Sequence, residues 1–267
     1  MSRIKNKFAE LKKKKEKALV AYIMVGYPNE KTTLSAVKGL VKGGADIIEL
    51  GFPFSDPIAD GPVIQNASTV SLNHGTRIDK FFQIIKKIRK ETEIPLVLMT
   101  YTNILYQMGF DKFMQKAKSF GIDGFILPDM AIEESDDYLK AARKNKLDTI
   151  FLISPNTSAE RIKKILKATT GFLYLVSMYG TTGMRTKIQK YTIDAIRKTN
   201  KIVNKKIPVG IGFGINSPKE SKKFLTLGAD AVIVGSAFLR IIEKTPSSKI
   251  ESKITRFTRS LKSTTRQ

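Results

Sequence analysis

The sequence of 267 residues contains no cysteine, no tryptophan and only one histidine, His74. The lack of cysteine excludes disulfide bonds, thiolate nucleophiles and zinc–thiolate sites. A single histidine cannot form a metal site built from two histidines or a histidine acid–base couple. Acid–base catalysis by this chain must therefore depend mainly on Asp, Glu, Lys or Tyr side chains.

Long apolar segments are missing as well. No stretch reaches the ~18 consecutive apolar residues expected of a membrane-spanning helix. Residues 1–17 also lack the apolar centre of a signal peptide. We therefore expect a cytoplasmic protein with no membrane partner. The composition, with 42% hydrophobic and 27% charged residues, is typical of a globular protein with a core.

Acidic residues are outnumbered, since 47 Lys and Arg face 24 Asp and Glu, which gives a net charge of +23. About half of the excess lies in residues 1–17 and 244–267. A basic surface attracts anions such as phosphates or nucleic acid. Lysines spread over solvated helix faces explain the same net charge without any anionic partner. No nucleic-acid recognition motif accompanies the charge. We therefore expect no nucleic-acid partner, and only weak steering of an anionic substrate.

Short apolar runs alternate with stretches of helical periodicity along the whole chain. Each run is nearly continuous and bounded by polar, Gly or Pro residues, as expected for strands buried on both faces of a parallel sheet. The eight runs are near 19–25, 46–52, 95–101, 122–127, 149–154, 171–177, 207–213 and 230–235.

This eightfold alternation predicts an α/β fold, a single (β/α)8 TIM barrel domain over residues 1–267. A doubly wound open sheet is the alternative. An extra N-terminal helix is expected over residues 2–15, an extra short helix within 53–75, and a last amphipathic helix over 248–262. Two capping boxes, beginning at Thr157 and Ser217, predict helix starts.

Glu49 lies inside the second apolar run, between Ile48 and Leu50. A buried charge is costly unless it is paired or its pKa moves. One interpretation is a structural glutamate that pairs with Lys or Arg. The other is catalytic, because barrel active sites lie at the C-terminal ends of the strands and a raised pKa suits a group that gives and takes protons. Its position near the strand end favours the catalytic one.

The loop after this strand carries two further carboxylates, Asp56 and Asp60, among three prolines and two glycines. Such residues often form turns by bonding the local backbone. Rigid loops above a barrel mouth also hold catalytic groups.

Glycine-rich turns follow the later strands and indicate a phosphate site. Gly212–Gly214 follows the seventh run, Gly235 and Ser236 follow the eighth, and Tyr179–Gly183 follows the sixth. Glycine lets backbone N–H groups approach a ligand, and the loops after strands seven and eight frequently bind phosphate in this fold. Plain turns between strand and helix are the alternative.

Five motifs together resemble the tryptophan synthase alpha chain family, in order and over nearly the whole chain. Residues 49–65, 125–130, 174–185, 210–218 and 229–237 read ELGFPFSDPIADGPVIQ, FILPDM, YLVSMYGTTGMR, GIGFGINSP and ADAVIVGSA. The resemblance implies a (β/α)8 barrel lyase that cleaves indole-3-glycerol phosphate to indole and glyceraldehyde 3-phosphate. Indole would pass to a beta chain in an alpha2-beta2 tetramer for tryptophan synthesis. Pyridoxal phosphate would belong to that beta chain, with no cofactor and no metal in this one.

The resemblance also implies roles for individual residues. Glu49 would be the acid–base group, and Asp60 would hold the indole N–H. Two departures from the family pattern stand out, since Tyr22 replaces the usual Phe and Thr181 the usual Val. The resemblance implies an indole pocket formed by Tyr22, Met99, Tyr174 and Phe213, and a phosphate site formed by Gly183, Gly214, Gly235 and Ser236. Residues 180–185 would form a lid in which Thr182 contacts Asp60. Pro53 and Asp56 would contact the beta chain.

Two alternatives to this family stay open. Another phosphate-binding barrel enzyme of aromatic or histidine biosynthesis would need Lys or Asp at the end of its first strand, where this chain has Met24, Val25 and Gly26. A basic nucleic-acid-binding protein is the alternative from a different functional class.

Overall fold

The computed structural model describes residues 1–176, 190–212 and 214–266. Within these ranges nine strands form one parallel sheet. They are β1 (Ala18–Met24), β2 (Ile47–Gly51), β3 (Leu96–Met99), β4 (Gly124–Ile126), β5 (Asp148–Ile150), β6 (Leu152–Ile153), β7 (Leu173–Val176), β8 (Val209–Gly212) and β9 (Ala231–Val234).

The strand order makes the sheet a barrel. Neighbours follow chain order, and β1 pairs with both β2 and β9. Strands β5 and β6 are separated only by Phe151, and they pair with β4 and β7 respectively. They are therefore two halves of one interrupted barrel strand. The eight predicted runs are confirmed as strands, the (β/α)8 barrel is confirmed, and the open doubly wound sheet is wrong.

Twelve α-helices lie within the described ranges, mostly as crossovers between parallel strands. No helix of these ranges is long and apolar enough to cross a membrane. The helices are α1 (Arg3–Lys13), α2 (Glu30–Gly43), α3 (Pro62–Asn73), α4 (Ile78–Glu91), α5 (Thr102–Met108), α6 (Phe110–Ser119), α7 (Asp136–Lys144), α8 (Ala159–Ala168), α9 (Lys190–Val203), α10 (Pro218–Thr226), α11 (Ser236–Glu243) and α12 (Ile250–Lys262).

Side-chain caps begin several of these helices. Ser217 precedes Pro218 and accepts a hydrogen bond from the Glu220 N–H, as its capping box predicts. At α8 the cap is Ser158, which accepts from the Arg161 N–H. The predicted start at Thr157 is therefore one residue early, because Glu160, which completes the pattern in sequence, is the second residue of the helix and not the third.

Helix α1 closes the bottom of the barrel. Ile4 and Leu11 pack into the cluster of inward-facing side chains that includes Val20 of β1. The ring of Phe8 lies 5.9 Å from the ring of Phe172, centroid to centroid. The predicted extra N-terminal helix is confirmed, and its apolar face completes the barrel core.

We predict that Ile4→Ala destabilises the protein by about 2–4 kcal/mol, because Ile4 is fully buried and its removal leaves a cavity beneath the barrel. Urea unfolding measures the change. Lys5→Ala, on the exposed face of the same helix, is the matched control. Equal stability of the two variants would show that α1 does not contribute to the core.

Candidate active site

Glu49 lies on β2 and faces the inside of the barrel. It is paired in register with Tyr22 on β1 and Val97 on β3. Only 1% of the residue is exposed, and its Oε2 atom has no hydrogen-bond partner. Among the described residues Glu49 forms no ion pair with Lys or Arg, so the structural interpretation fails there.

The environment of Glu49 favours its protonated form. Burial removes water from the carboxyl group and is the main cause that raises the pKa of Glu49 to about 8, with a further contribution from the charge of Asp60. Glu49 therefore carries a proton at neutral pH, which it can donate.

Asp60 lies in the loop between β2 and α3 and is also buried, with 3% of its surface exposed. Its Oδ2 accepts a hydrogen bond of 3.1 Å from the Tyr101 hydroxyl, while Oδ1 has no partner. Burial raises the pKa of Asp60 to about 6, and the Tyr101 hydrogen bond limits the rise because it stabilises the carboxylate. Near pH 7 Asp60 is thus mainly ionised beside a protonated Glu49.

Tyr101 holds this loop in place and is a site residue that the sequence analysis missed. Its hydroxyl accepts from the Ala59 N–H at 3.0 Å while it donates to Asp60. Its ring stacks on Phe54 with centroids 5.0 Å apart. In the sequence, only its position just after the third strand indicated a site residue, because barrel active sites lie at the C-terminal ends of the strands.

An aromatic cavity adjoins Asp60. It brings together Asp60 and two of the predicted pocket residues, Tyr22 and Met99. The lining consists of Tyr22, Met24, Phe52, Phe54, Pro57, Asp60, Ser68, Met99, Thr100 and Tyr101.

Two tyrosine rings lie over glycines of neighbouring strands. A Cβ atom on Gly51 would collide with the hydroxyl of Tyr22, and one on Gly212 would collide with the hydroxyl of Tyr174. The bare inner faces of β2 and β8 thus make room for both rings. The charges of Glu49 and Asp60 help to raise the pKa of Tyr174 after burial, which places this residue at the same site.

The structure describes three of the predicted phosphate residues, Gly214, Gly235 and Ser236. Gly235 caps α11 without a side-chain hydrogen bond, and Ser236 begins the helix, so amide groups point outward there. A Cβ on Gly235 would lie 3.2 Å from the Tyr22 ring, so one tyrosine ring spans from Gly235 to Gly51. Gly214 has a φ of +83°, which favours glycine.

The glycine turn after β8 is fixed by the side chain of Asn216, which is held in turn by Arg240 of α11. Asn216 donates from Nδ2 to the Gly214 carbonyl at 2.8 Å, and its Oδ1 accepts from Arg240 of α11 at 3.0 Å. The two turns that the sequence predicts to bind phosphate are therefore joined by one hydrogen-bonded chain.

Other predicted residues have different outcomes. Thr182, Gly183, Phe213 and the segment 180–185 lie outside the described residues. Asp56 is exposed as a partner contact requires, whereas Pro53 is buried within this chain.

On the same loop Ile58 is 80% exposed, a surface apolar residue that the sequence analysis did not single out. In the described ranges no cluster of three or more His, Cys, Asp or Glu side chains is arranged to hold a metal ion.

Comparison with known proteins agrees with this geometry. The family model of the tryptophan synthase alpha chain matches residues 8–266. The chain belongs to this family. The chain is 46% identical to the tryptophan synthase alpha chain of Methanosarcina acetivorans, over 98% of this chain and 93% of the relative. It is 41% identical to that of Trichormus variabilis, over 98% of both chains.

Solved structures of the alpha chain family share the fold closely. A Mycobacterium tuberculosis tryptophan synthase superposes with a TM-score of 0.90 and 30% identity, over 100% of this chain and 99% of that one. The tryptophan synthase complex of Pyrococcus furiosus gives 0.85 and 35% identity over 92% and 98%. Family membership makes this chain an enzyme of tryptophan synthesis, and another phosphate-binding barrel enzyme is not favoured.

The buried carboxyl of Glu49 predicts a pH-dependent stability. Between pH 4.5, its ordinary pKa, and about 8 the folded protein keeps a proton that the unfolded chain releases, so stability falls as pH rises through this window. Glu49→Gln removes that loss. The free energy of unfolding of the variant, relative to that of the natural protein, should therefore increase by roughly 2–4 kcal/mol between pH 5 and pH 8.5, as measured by urea unfolding.

Glu134→Gln provides the control for this measurement, because Glu134 is exposed. Its stability difference from the natural protein should be the same at both pH values. A pH-independent difference for Glu49→Gln would mean that Glu49 is not buried in the protonated form.

Proposed function

We propose that this chain is a carbon–carbon lyase that cleaves indole-3-glycerol phosphate into indole and glyceraldehyde 3-phosphate. The observation that carries the proposal is the pair of buried carboxyl groups at the barrel mouth. Glu49, with a pKa of about 8, is protonated at neutral pH, whereas Asp60, with a pKa of about 6, is ionised. A buried acid that feels the charge of a carboxylate in the wall of an aromatic cavity suits proton-driven cleavage of an indole substrate.

The reaction balances with these two groups alone. Glu49 donates its proton to the indole carbon that bears the side chain, and the ring nitrogen then carries positive charge. Asp60 accepts the ring N–H and stabilises this charge. The Glu49 carboxylate takes the proton of the adjacent side-chain hydroxyl, which becomes the aldehyde while the carbon–carbon bond electrons return to the ring. One proton is given and one is taken, so Glu49 ends as it began.

The substrate phosphate would bind at the turns that follow β8 and β9. Backbone N–H groups at Gly235 and Ser236 and the positive end of α11 suit an anion, and Gly214 adds a second turn. Because their motif resembles that of the family, Gly183 would also bind the phosphate, and Thr182 would contact Asp60 as part of a lid. Tyr22, Met99, Tyr174 and Phe213 would surround the indole ring.

We further propose a cytoplasmic alpha2-beta2 assembly with a tryptophan synthase beta chain, which would hold pyridoxal phosphate and use the released indole. The structural relative from Pyrococcus furiosus is a tryptophan synthase complex, which supports this proposal. The exposed side chains of Asp56 and Ile58 lie on the same loop as catalytic Asp60. Contact at this loop would therefore act directly on the active site.

The first test is the loss of activity in isosteric variants. Glu49→Gln and Asp60→Asn each remove a proton-transfer or charge-stabilising group without changing its shape, and each should lower the rate by about 10²-fold or more. Release of free indole from indole-3-glycerol phosphate measures the rate. Asp194→Asn, at an exposed position of α9, should leave it unchanged. Near-normal turnover in either active-site variant would remove that residue from its role.

The pH profile tests the two protonation states. Because Asp60 must be ionised and Glu49 protonated, kcat/KM should rise near pH 6 and fall near pH 8. Tyr101→Phe removes the hydrogen bond that stabilises the Asp60 carboxylate, so the pKa of Asp60 should increase. Only the acidic limb should then move to higher pH. A shift of the basic limb alone would contradict the assignment.

The partner proposal predicts activation. Added beta chain should raise the rate of indole release, because contact at the loop of Asp56 and Ile58 would favour the catalytic position of Asp60 on the same loop. Ile58→Asp should abolish the activation while the rate of the isolated chain is kept. Equal rates with and without the beta chain would argue against a functional assembly.

A further inference from the structure

The Arg240 side chain of α11 contacts a neutral amide. Its Nη1 atom donates to Oδ1 of Asn216 at 3.0 Å. In the part of the chain that the structure describes, Arg240 forms no ion pair with Asp or Glu. An ion pair therefore does not account for the direction of this side chain.

Asn216 itself is held at three points. Its backbone N–H donates to Oε2 of Glu220 at 2.7 Å. Its Nδ2 atom donates to the Gly214 carbonyl at 2.8 Å, and its Oδ1 atom accepts from Arg240. Both ends of the side-chain amide are thus engaged, one with the turn after β8 and the other with α11.

The guanidinium group decides which way round the Asn216 amide lies. A guanidinium carries hydrogen-bond donors only, so the amide atom that faces Arg240 must be the oxygen. The amide nitrogen then faces the Gly214 carbonyl and donates to it. Without Arg240 the amide is free to turn over, which would place its oxygen against the oxygen of Gly214. Arg240 therefore controls a hydrogen bond that it does not itself make.

That hydrogen bond fixes the turn after β8. Gly214 has a φ of +83°, and glycine has more backbone freedom than any other residue, so such a turn keeps one shape only when a contact holds it. The peptide unit is planar, so holding the Gly214 carbonyl also fixes the direction of the next N–H, that of Ile215. Asn216 thus determines how the turn presents its amide groups.

Arg240 also connects this turn with the start of α11. It lies four residues after Ser236 and therefore about one helical turn along the same face. The hydrogen bond from Arg240 to Asn216 ties the N-terminal end of α11, with Gly235 and Ser236, to the turn of Gly214. A phosphate that touches both turns needs a set distance between them, and this bridge maintains it.

We propose that Asn216 and Arg240 are positioning residues for the phosphate group of the substrate, in which Arg240 orients the Asn216 amide and Asn216 holds the Gly214 turn in its binding form. We call them the positioning pair. The inference rests on the proposed function and extends it to the origin of the phosphate affinity. Neither residue takes part in the proton transfers of Glu49 and Asp60.

The test measures binding of two separate probes by calorimetric titration. Glycerol 3-phosphate carries the phosphate without a ring, and indole carries the ring without a phosphate. Arg240→Met and Asn216→Ala should each raise the Kd for glycerol 3-phosphate by about tenfold, the value of one hydrogen bond. The Kd for indole should not change, which separates positioning of the phosphate from a general disturbance of the barrel.

The double variant tests whether Arg240 acts through Asn216. If it does, Arg240→Met adds nothing once the amide is gone, so the double variant should have the Kd of Asn216→Ala. Arg240→Lys, which keeps a donor, should recover part of the affinity. Additive losses in the double variant would mean that the charge of Arg240 attracts the phosphate directly, and would overturn the inference.

Kinetics provide an independent measurement. In either single variant the KM for indole-3-glycerol phosphate should rise by about tenfold while kcat and both limbs of the pH profile are kept, because Glu49 and Asp60 are unchanged. Arg259→Met is the matched control, since it removes the same charge at an exposed position of α12 and should leave KM and kcat as they are. Thermal unfolding verifies that all variants fold.

Two further results would overturn the inference. One is an unchanged Kd for glycerol 3-phosphate in Arg240→Met. The other is an equal loss of affinity for both probes, which would assign the pair a role in overall stability.

Failure of the proposed function is distinguishable from these results. If the natural protein releases no indole from indole-3-glycerol phosphate, the proposed function fails, and the calorimetric titration still decides on the positioning pair. Binding of glycerol 3-phosphate that is weakened in Arg240→Met supports the pair, whereas a natural protein that does not bind glycerol 3-phosphate overturns it.

Discussion

The burial of two carboxyl groups in one barrel mouth is the constraint on which the site depends. The loss of water around Glu49 and the charge of Asp60 both raise the pKa of Glu49, so both favour its neutral form. A hydrogen bond from Tyr101 reaches Asp60 alone and keeps it the stronger acid. The two side chains have nearly the same chemistry, and their surroundings divide the roles of proton donor and anion between them.

The rest of the fold supplies the conditions for this division. The barrel wall and the α1 helix exclude water from below, and Tyr101 holds the loop that carries the buried Asp60. Glycines at positions 51 and 212 leave space at the wall that the rings of Tyr22 and Tyr174 fill. The low polarity that raises the pKa of Glu49 is thus a result of how the aromatic rings pack.

Much of the fold could be predicted because each strand is recognisable from its own short stretch of sequence. Parallel strands buried on both faces read as short apolar runs, so the eight strands were visible, as was Glu49 within the second. The break at Phe151 was not predicted, since the hydrophobic run 149–154 continues through it. Hydrophobicity reports burial, and it does not report which backbone hydrogen bonds are interrupted.

The site was predictable only where a residue contrasts with its neighbours. Glu49 is conspicuous as a charge in an apolar run, whereas Tyr101 is an ordinary strand-end aromatic until the fold brings Asp60 to its hydroxyl. Thr100 is likewise unremarkable in sequence, and the lack of a hydrogen-bond partner at its buried hydroxyl is a property of tertiary contacts. Pro53 shows the converse, because a proline in a polar loop reads as surface yet is buried here.

The ring of Tyr22, which touches the Gly51 side at one end and Gly235 at the other, acts as a ruler built into the wall. Its length is fixed by covalent bonds, so the spacing between Gly51 of β2 and Gly235 before α11 is set by a rigid ring and cannot vary as a gap between two loops could. This part of the barrel wall therefore keeps a constant width.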